Sequence, residues 1–160
     1  MKIGFDEFGN LMPNDVIQLS WVETEQLLVT SNRRRFLWNC FMVYNNDLSQ
    51  VLQCSWKQWL GGSYLTKIST PNDIDLVNFV NWHDTLEQHE LLLGSLFMAN
   101  NSKQKYNIDA YFTVVYPPDD ERYVSTVERT NYWQKWLGQN KHNKKSRGII
   151  ELQIQQPWLL

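Results

Sequence analysis

The chain of 160 residues has the length of one domain that is large enough to bury a core. Its hydrophobic content of 42% and charged content of 20% are those of a soluble globular protein. A net charge of −2 argues against a protein whose whole surface binds nucleic acid, while local basic patches remain open. The eight tryptophans are interpreted as core and surface-covering side chains, with base stacking as the alternative, and they leave room for an apolar interface in an oligomer.

The two cysteines, Cys40 and Cys54, lack the spacing of metal ligands. Two thiols in a domain of this size favour a reducing compartment over a disulfide scaffold. The N-terminus lacks the apolar segment of a signal peptide, and no apolar run approaches the length of a membrane span. We therefore expect a cytoplasmic protein that has no membrane partner.

The first half of the chain is predicted to contain two helices and two strands. Apolar residues recur at helical spacing after Ser31, whose side chain suits a helix N-cap. The predicted elements are an irregular lead-in over residues 1–20, a short helix over Val22–Val29, a longer helix from Ser31 to Val51, a strand over Cys54–Leu60, a turn or short helix over residues 63–70, and a strand over Asp73–Val80.

The second half is predicted to alternate helices and strands. Its elements are an amphipathic helix over Thr85–Met98, a break at Asn100–Ser102, a strand over Ile108–Tyr116, a helix over Ser125–Leu137 with Gly138 as the first residue beyond it, a basic loop over Lys141–Arg147, and a strand over Gly148–Gln155. Residues 1–160 are thus expected to form one α/β (α+β) domain, in which helices flank a mixed central sheet of about four strands.

Two aspartates at the start of a predicted strand are the first candidate site. Asp73 and Asp75 are two residues apart, so in an extended strand they point to the same face, while Ile74 points to the other. Two carboxylates held this close repel one another unless a proton or a cation joins them. A divalent ion that prefers oxygen ligands, Mg²⁺ or Mn²⁺, is the expected occupant.

Asp109 is the candidate for a third carboxylate at this site. It lies in a strand-like apolar run, where an ionised side chain is costly unless it is compensated. Its apolar neighbours along the strand share the opposite face, so Asp109 can join Asp73 and Asp75 on one side of a sheet. The alternative is an acid on a solvated strand face.

Glycines and basic residues are the candidates for binding an anion. The turn at Gly61-Gly62-Ser63 would let backbone N–H groups approach a phosphate closely. Arg33-Arg34-Arg35 opens a predicted helix, where cations oppose the helix dipole, so a contact with phosphate or RNA is one explanation and a solvated face is the other. Candidate contacts of the same kind in the basic loop are Lys144, Lys145 and Arg147.

This order of motifs resembles the nucleotidyltransferase superfamily typified by DNA polymerase beta, and above all its minimal bacterial members. Nine residues separate Gly62-Ser63 from Asp73-x-Asp75, and the strand-borne Asp109 follows. The whole chain is also similar to an uncharacterised bacterial nucleotidyltransferase-like family. The segments that carry this second resemblance are Asn10-Leu11-Met12-Pro13, Trp21-Val22-Glu23, Arg33-Arg34-Arg35 and Gly148-Ile149-Ile150-Glu151-Leu152.

The resemblance implies a small nucleotidyltransferase fold and a role for each motif. Asp73, Asp75 and Asp109 would bind Mg²⁺ or Mn²⁺, and Asp109 would help to activate the attacking hydroxyl. The nucleoside triphosphate would be bound by Gly61, Gly62, Ser63 and Thr66. The enzyme would transfer a nucleoside monophosphate to a hydroxyl of RNA, such as tRNA, or of a protein, and release pyrophosphate.

The same resemblance leaves the biological role open. Similar small bacterial enzymes belong to toxin–antitoxin pairs, so a cognate partner protein is one expectation, by analogy alone. We find no second domain that would bind an acceptor, so the acceptor site is either small or supplied by a partner. The alternatives are a catalytically idle module that binds nucleotide, RNA or a partner protein, and plain RNA binding through the basic segments.

Overall fold

A five-stranded mixed sheet forms the centre of the protein, which is an α+β fold as predicted. The computed structural model describes residues 2–85, 89, 95–141 and 143–156. The strands are β1 (Gly4–Phe5), β2 (Leu11–Met12), β3 (Val16–Gln18), β4 (Trp56–Gly61), β5 (Ile74–Asn81), β6 (Ile108–Val115) and β7 (Ile149–Ile154). The sheet has the order β3-β7-β4-β5-β6, with β3 parallel to β7, β5 parallel to β6, and the other neighbours antiparallel.

Five described helices flank this sheet. They are α1 (Trp21–Leu28), α2 (Asn32–Leu52), α3 (Trp82–Thr85), α4 (Ala99–Tyr106) and α5 (Tyr123–Leu137), and a 3₁₀ turn covers Ser63–Leu65. In the parts of the chain that are described, none of the helices combines the length and the hydropathy that crossing a membrane requires. The structure confirms three predicted helices, α1, α2 and α5, and four predicted strands, β4 to β7. Each end lies within two residues of its predicted position.

The lead-in over residues 1–20 is not irregular, and that prediction is wrong. The strands β1 and β2 pair with each other, and β3 joins the main sheet beside β7. Strands of two or three residues are too short to show an alternating pattern, which is why the sequence did not reveal them. Because of β3, the sheet has five strands, whereas about four were predicted.

Two further predictions concern residues 85–102. Most of the predicted helix over Thr85–Met98 lies outside the described residues, and the described part at 95–98 consists of turns and bends. The predicted break at Asn100–Ser102 is wrong, because these residues lie inside α4. Only Ser102 and Tyr106 of this polar helix are buried, so its sequence has little hydrophobic periodicity.

The helix ends show which capping predictions hold. Ser31 is the N-cap of α2, as predicted, and its Oγ accepts a hydrogen bond from the backbone N of Arg34. Gly138 does end α5, but its φ of −81° is not left-handed, so backbone freedom is not the reason for a glycine here. A Cβ at Gly138 would lie 2.5 Å from the carbonyl oxygen of Gln134, so close approach is the reason.

The two faces of the sheet are covered differently. On the side that we call the α2 face, α1, α2 and α4 pack over the larger core, to which β5 contributes Ile74, Leu76 and Val80. On the α5 face, Trp133 and Leu137 of α5 pack against a smaller core. The strand residues of this smaller core are Trp59, Val77, Phe79 and Ile149. Alternation along β5 therefore places Asp75 on the α5 face, beside the end of α5.

A network of buried amides fixes α2 to the sheet. Asn78 Oδ1 accepts from Trp56 Nε1 at 2.9 Å and from Gln58 Nε2 at 2.7 Å. Gln58 Nε2 also donates to Asn45 Oδ1 of α2 at 2.7 Å. Polar partners of this kind are satisfied in only one register, so they specify how the helix lies on β4 and β5.

Candidate functional site

Three neighbouring strands bring the predicted site residues into one row. Gly61 of β4 is paired with Asp75 of β5, and Asp75 is paired with Asp109 of β6. Paired residues of adjacent strands point to the same face, so the two carboxylates stand side by side on the α5 face. The two side chains interact through a hydrogen bond as well as through charge.

This arrangement raises the pKa of Asp75. Burial, followed by the negative charges of Asp73 and Asp109, raises the pKa of Asp75 to about 7, and Lys141 acts in the opposite direction. Hydrogen bonding with Asp109 adds to the increase. At neutral pH the pair therefore holds a proton readily, and a cation that replaced the proton would relieve the same repulsion.

Asp73, which directly precedes β5, is bound by a lysine. Its Oδ2 lies 3.0 Å from Lys103 Nζ, which extends from α4. Within the described ranges, no group of three or more His, Cys, Asp or Glu side chains is placed to hold a metal ion. Asp73, Asp75 and Asp109 are thus neighbours, but in this conformation they do not form a coordination set.

A cavity of about 160 Å³ opens beside Asp75. Its walls come from the segment between β4 and β5, from the end of α5 and from the loop that follows α5. Besides Asp75, the lining residues are Gly62, Ser63, Thr66, Ile68, Trp136, Asn140, Lys141 and Arg147. The cavity therefore combines one half-buried carboxylate with two cationic side chains.

Arg147 is the buried cation of this cavity. It is only 6% exposed, and its Nε donates to the carbonyl oxygen of Leu137 at 2.9 Å. Burial lowers the pKa of Arg147, whereas the charge of Asp75 raises it. Lys141 is exposed and its Nζ lies 4.2 Å from the ring centre of Trp136. Both cations line the same cavity as Asp75.

The two glycines of the predicted anion-binding turn are required by their own neighbours. A Cβ at Gly61 would lie 2.5 Å from Leu137 Cδ2, so this glycine lets the end of α5 approach the sheet. Gly62 has φ +72° and ψ −166°, a conformation that residues with a Cβ rarely adopt. A Cβ there would lie 1.7 Å from Asp75 Oδ2. The group that approaches the backbone of Gly62 closely is thus the carboxylate of Asp75.

A family model matches residues 3–153. The chain belongs to that family, which is described as a family of unknown function (DUF6932). Searches of the curated proteins and of the solved structures found no match. The function of this DUF6932 protein is therefore inferred from the geometry of its own residues.

Among the basic residues that were predicted to contact phosphate or RNA, Arg34 is buried and therefore out of reach of either ligand. It is 1% exposed, and its guanidinium donates to four backbone carbonyls, those of Leu28, Tyr64, Thr66 and Ile68. Its ring contact with Tyr64 is 4.9 Å from the guanidinium carbon to the ring centre. The structure therefore corrects the predicted role: Arg34 holds the chain segment that supplies Thr66 and Ile68 to the cavity.

The neighbours of Arg34 also make protein contacts. Arg33 donates to the carbonyl oxygens of Pro71 at 3.0 Å and Asn72 at 2.8 Å, directly before Asp73. Arg35 forms an ion pair with Glu25 on the surface. The arginine cluster that opens α2 thus orders the connection between the Gly62 turn and Asp73, which explains cations at a helix N-terminus without a ligand.

The basic loop is divided between the cavity and the surface. Arg147 lines the cavity, as does Lys141, which the sequence indicated only as the first residue of this loop. Lys144 and Lys145 lie outside the lining; Lys144 is exposed, and Lys145 Nζ is 5.1 Å from the ring centre of Phe8. The sequence thus located the loop but did not distinguish the residues that line the cavity from those that lie outside it.

Other members of the site were missed. Trp136 lies in the last turn of α5 and Asn140 in the loop after it, and helical periodicity gives no reason to single them out. Lys103 lies in the polar helix α4, far along the chain from Asp73, so no local pattern connects the two. Spacing along the sequence identifies groups on the same strand, whereas these contacts arise only from tertiary packing.

The substitution Gly62→Ala is expected to destabilise the protein by about 2–3 kcal/mol, because a non-glycine residue is strained at this φ and its Cβ would meet the Asp75 carboxylate. Urea denaturation measures the change. Gly4→Ala is the matched control, since a Cβ at Gly4 meets nothing within 4 Å, and it is expected to change stability by less than about 0.5 kcal/mol. Equal effects of the two substitutions would contradict the close approach of Gly62 to Asp75.

Proposed function

We propose that this protein is a Mg²⁺- or Mn²⁺-dependent nucleotidyltransferase that moves a nucleoside monophosphate from a nucleoside triphosphate to a hydroxyl. The observation that supports the proposal is the cavity that Asp75 lines together with Lys141 and Arg147, with Asp109 paired to Asp75 on the neighbouring strand. A metal-bound phosphate is stabilised when carboxylates hold the metal ion on one side and cations contact the phosphate oxygens on the other. The motif order of the nucleotidyltransferase superfamily agrees with this arrangement.

The donor atoms suit a divalent metal ion. Asp75 and Asp109 provide carboxylate oxygens. Burial, followed by the charges of Asp73 and Asp109, raises the pKa of Asp75, so a bound cation would favour its ionised form. Asp73 would complete the set after leaving Lys103. When bound, the ion would neutralise the phosphates and polarise the bond to the transferred group.

The remaining chemistry belongs to residues of the cavity. Arg147 and Lys141 would bind the phosphate oxygens, and the buried position of Arg147 would fix their orientation. A carboxylate oxygen of Asp109 would accept the proton of the attacking hydroxyl. Because the cavity holds about 160 Å³, it would enclose the phosphate end of the nucleotide and leave the rest at its opening.

The acceptor and the cellular setting are part of the same proposal. A hydroxyl of RNA, such as tRNA, or of a protein partner would reach the site from the open side of the cavity. A toxin–antitoxin pair is one setting in which a single small domain receives its acceptor site from a partner. Cys40 and Cys54 are both free thiols, which is compatible with a protein of the cytoplasm.

Calorimetric titration with each nucleoside triphosphate and Mg²⁺ or Mn²⁺ tests nucleotide binding. In that measurement, Lys141→Ala is expected to weaken nucleotide affinity by about tenfold, since a charge-assisted contact contributes about 1.5 kcal/mol or more. Lys144→Ala removes the same charge from the same loop outside the cavity and is expected to leave the affinity unchanged. Absence of nucleotide binding by the wild type, with either metal, would contradict the proposal.

A second candidate is a catalytically idle module of the same fold that binds nucleotide, RNA or a partner protein. The ion pair between Lys103 and Asp73 favours it, because this contact neutralises one of the three aspartates without a metal. The two candidates differ in one product. With an acceptor present, the enzyme releases pyrophosphate from an α-labelled nucleoside triphosphate and transfers the label, whereas the idle module releases none.

A further inference from the structure

Lys103 is the cation that the structure places against Asp73. Its Nζ lies 3.0 Å from Oδ2 of Asp73, which directly precedes β5. Asp75 of β5 and its pairing partner Asp109 of β6 follow in the same sheet. One ammonium group therefore occupies a carboxylate that the proposed function assigns to a metal ion.

The backbone of Lys103 is fixed relative to the site. Its helix leads directly into β6 through Asn107, which has the left-handed conformation of a helix end. Ser102 Oγ accepts a hydrogen bond from the backbone N of Ala110 at 3.3 Å, and the hydroxyl of Tyr106 donates to Asp47 of α2 at 2.7 Å. The reach of Lys103 toward Asp73 is thus set by two neighbouring elements.

The side chain of Lys103, in contrast, is free to move. It is 52% exposed, whereas that of Asp73 is 13% exposed. An ion pair with an exposed partner contributes only about 0–1 kcal/mol, and the lysine stem rotates easily. A divalent ion has twice the charge and would contact several carboxylates at once. It would therefore compete successfully with the ammonium for the oxygens of Asp73.

We propose that Lys103 is a displaceable counter-ion: it holds Asp73 away from Asp75 and Asp109 in the metal-free protein, and a divalent ion takes Asp73 from it. This explains why the three aspartates are neighbours without forming a coordination set. The inference rests on the proposed function, because it requires these aspartates to bind a metal. Lys103 is then a positioning residue that lowers the metal affinity of the resting protein.

Calorimetric titration with Mn²⁺ alone, without nucleotide, tests the inference. Lys103→Gln is expected to bind Mn²⁺ about 3- to 10-fold more tightly than the wild type, since no ammonium has to be displaced. Lys105→Gln removes the same charge from the same helix, but Lys105 Nζ lies over the ring of Tyr106, so its affinity is expected to stay within about twofold of the wild type. In an Asp73→Asn background, Lys103→Gln is expected to have no further effect.

The outcomes separate this inference from the proposed function. If the wild type binds Mn²⁺ and the two lysine variants change its affinity equally, the counter-ion role is overturned while the metal site stands. Weaker Mn²⁺ binding by Lys103→Gln would also overturn it, since Lys103 would then support the metal site. If no protein binds Mn²⁺, both the metal site and the inference fail. Thermal unfolding of each variant confirms that it is folded.

Discussion

Replacing Asp75 by Asn is expected to abolish metal-dependent nucleotide binding and, at the same time, to make the metal-free protein more stable above neutral pH. Asn keeps the shape of the side chain but loses the charge that a metal would neutralise. Nucleotide binding is measured by calorimetry with Mg²⁺ or Mn²⁺ present. Stability is measured by urea denaturation over a range of pH in the presence of a chelator.

The sign of the pH effect follows from the raised pKa. Asp75 has a pKa of about 7 in the folded protein and 3.8 as its ordinary value, so between these values the folded state binds more protons than the unfolded state. The wild type therefore loses stability as the pH rises from about 4 to about 7, and Asp75→Asn does not. Since one pKa unit corresponds to about 1.4 kcal/mol, the variant gains about 2–4 kcal/mol over the wild type above pH 7.

Asp119→Asn is the control for this experiment. Asp119 is exposed and far along the chain from the cavity, so its replacement removes the same charge without relieving the carboxylate pair. Its stability difference from the wild type is expected to stay small at every pH. If Asp75→Asn were less stable than the wild type above pH 7, Asp75 would be a stabilising charge and the geometry of the site would be misread.

The substitution Arg34→Met is expected to destabilise the protein by about 3–5 kcal/mol, the largest stability effect that we expect from a single change. Removing the guanidinium takes the donor from four backbone carbonyls, three of them in buried hydrogen bonds, and each acceptor left unsatisfied costs about 1–3 kcal/mol. A typical domain is stable by only about 5–15 kcal/mol, so much of the stability would be lost. Guanidinium chloride or urea denaturation measures the effect.

Arg35→Met provides the comparison, because it changes the next residue of the same helix in the same way. Arg35 forms a half-exposed ion pair with Glu25, and the loss of such a pair is expected to cost less than about 1 kcal/mol. A loss of similar size in both variants would show that Arg34 does not organise the segment between Tyr64 and Ile68. A folded Arg34→Met protein that keeps full nucleotide affinity would lead to the same conclusion.

The sequence was sufficient to predict the central part of the site. A period of two residues along each strand places Asp75 of β5 and Asp109 of β6 on the face opposite their apolar neighbours. The structure pairs these two residues, whereas Asp73 lies just before β5 and is bound by Lys103. Alternation is a local property of the chain, so it survives in the sequence and can be recognised without a structure.

The role of Arg34 was not predicted, although a signal for it exists. Arg34 is three, four and seven residues before the buried residues Leu37, Trp38 and Phe41, so helical spacing places it on the buried side of α2. The charge of the side chain suggested a surface position and obscured this periodicity. The partners of Arg34 are backbone carbonyls, and a sequence gives no indication of which carbonyls converge at one point.

The walls of the cavity are widely separated along the chain, and this separation determines when during folding the cavity can form. The Gly62 turn and Asp75 are synthesised early, whereas Lys141 and Arg147 follow α5 and β7 is the last strand. Long-range contacts of this kind form slowly, since large loops must close first. A nascent chain that ends before residue 141 therefore presents Asp75 without the two cations of the cavity. The complete cavity appears only once β7 has inserted between β3 and β4.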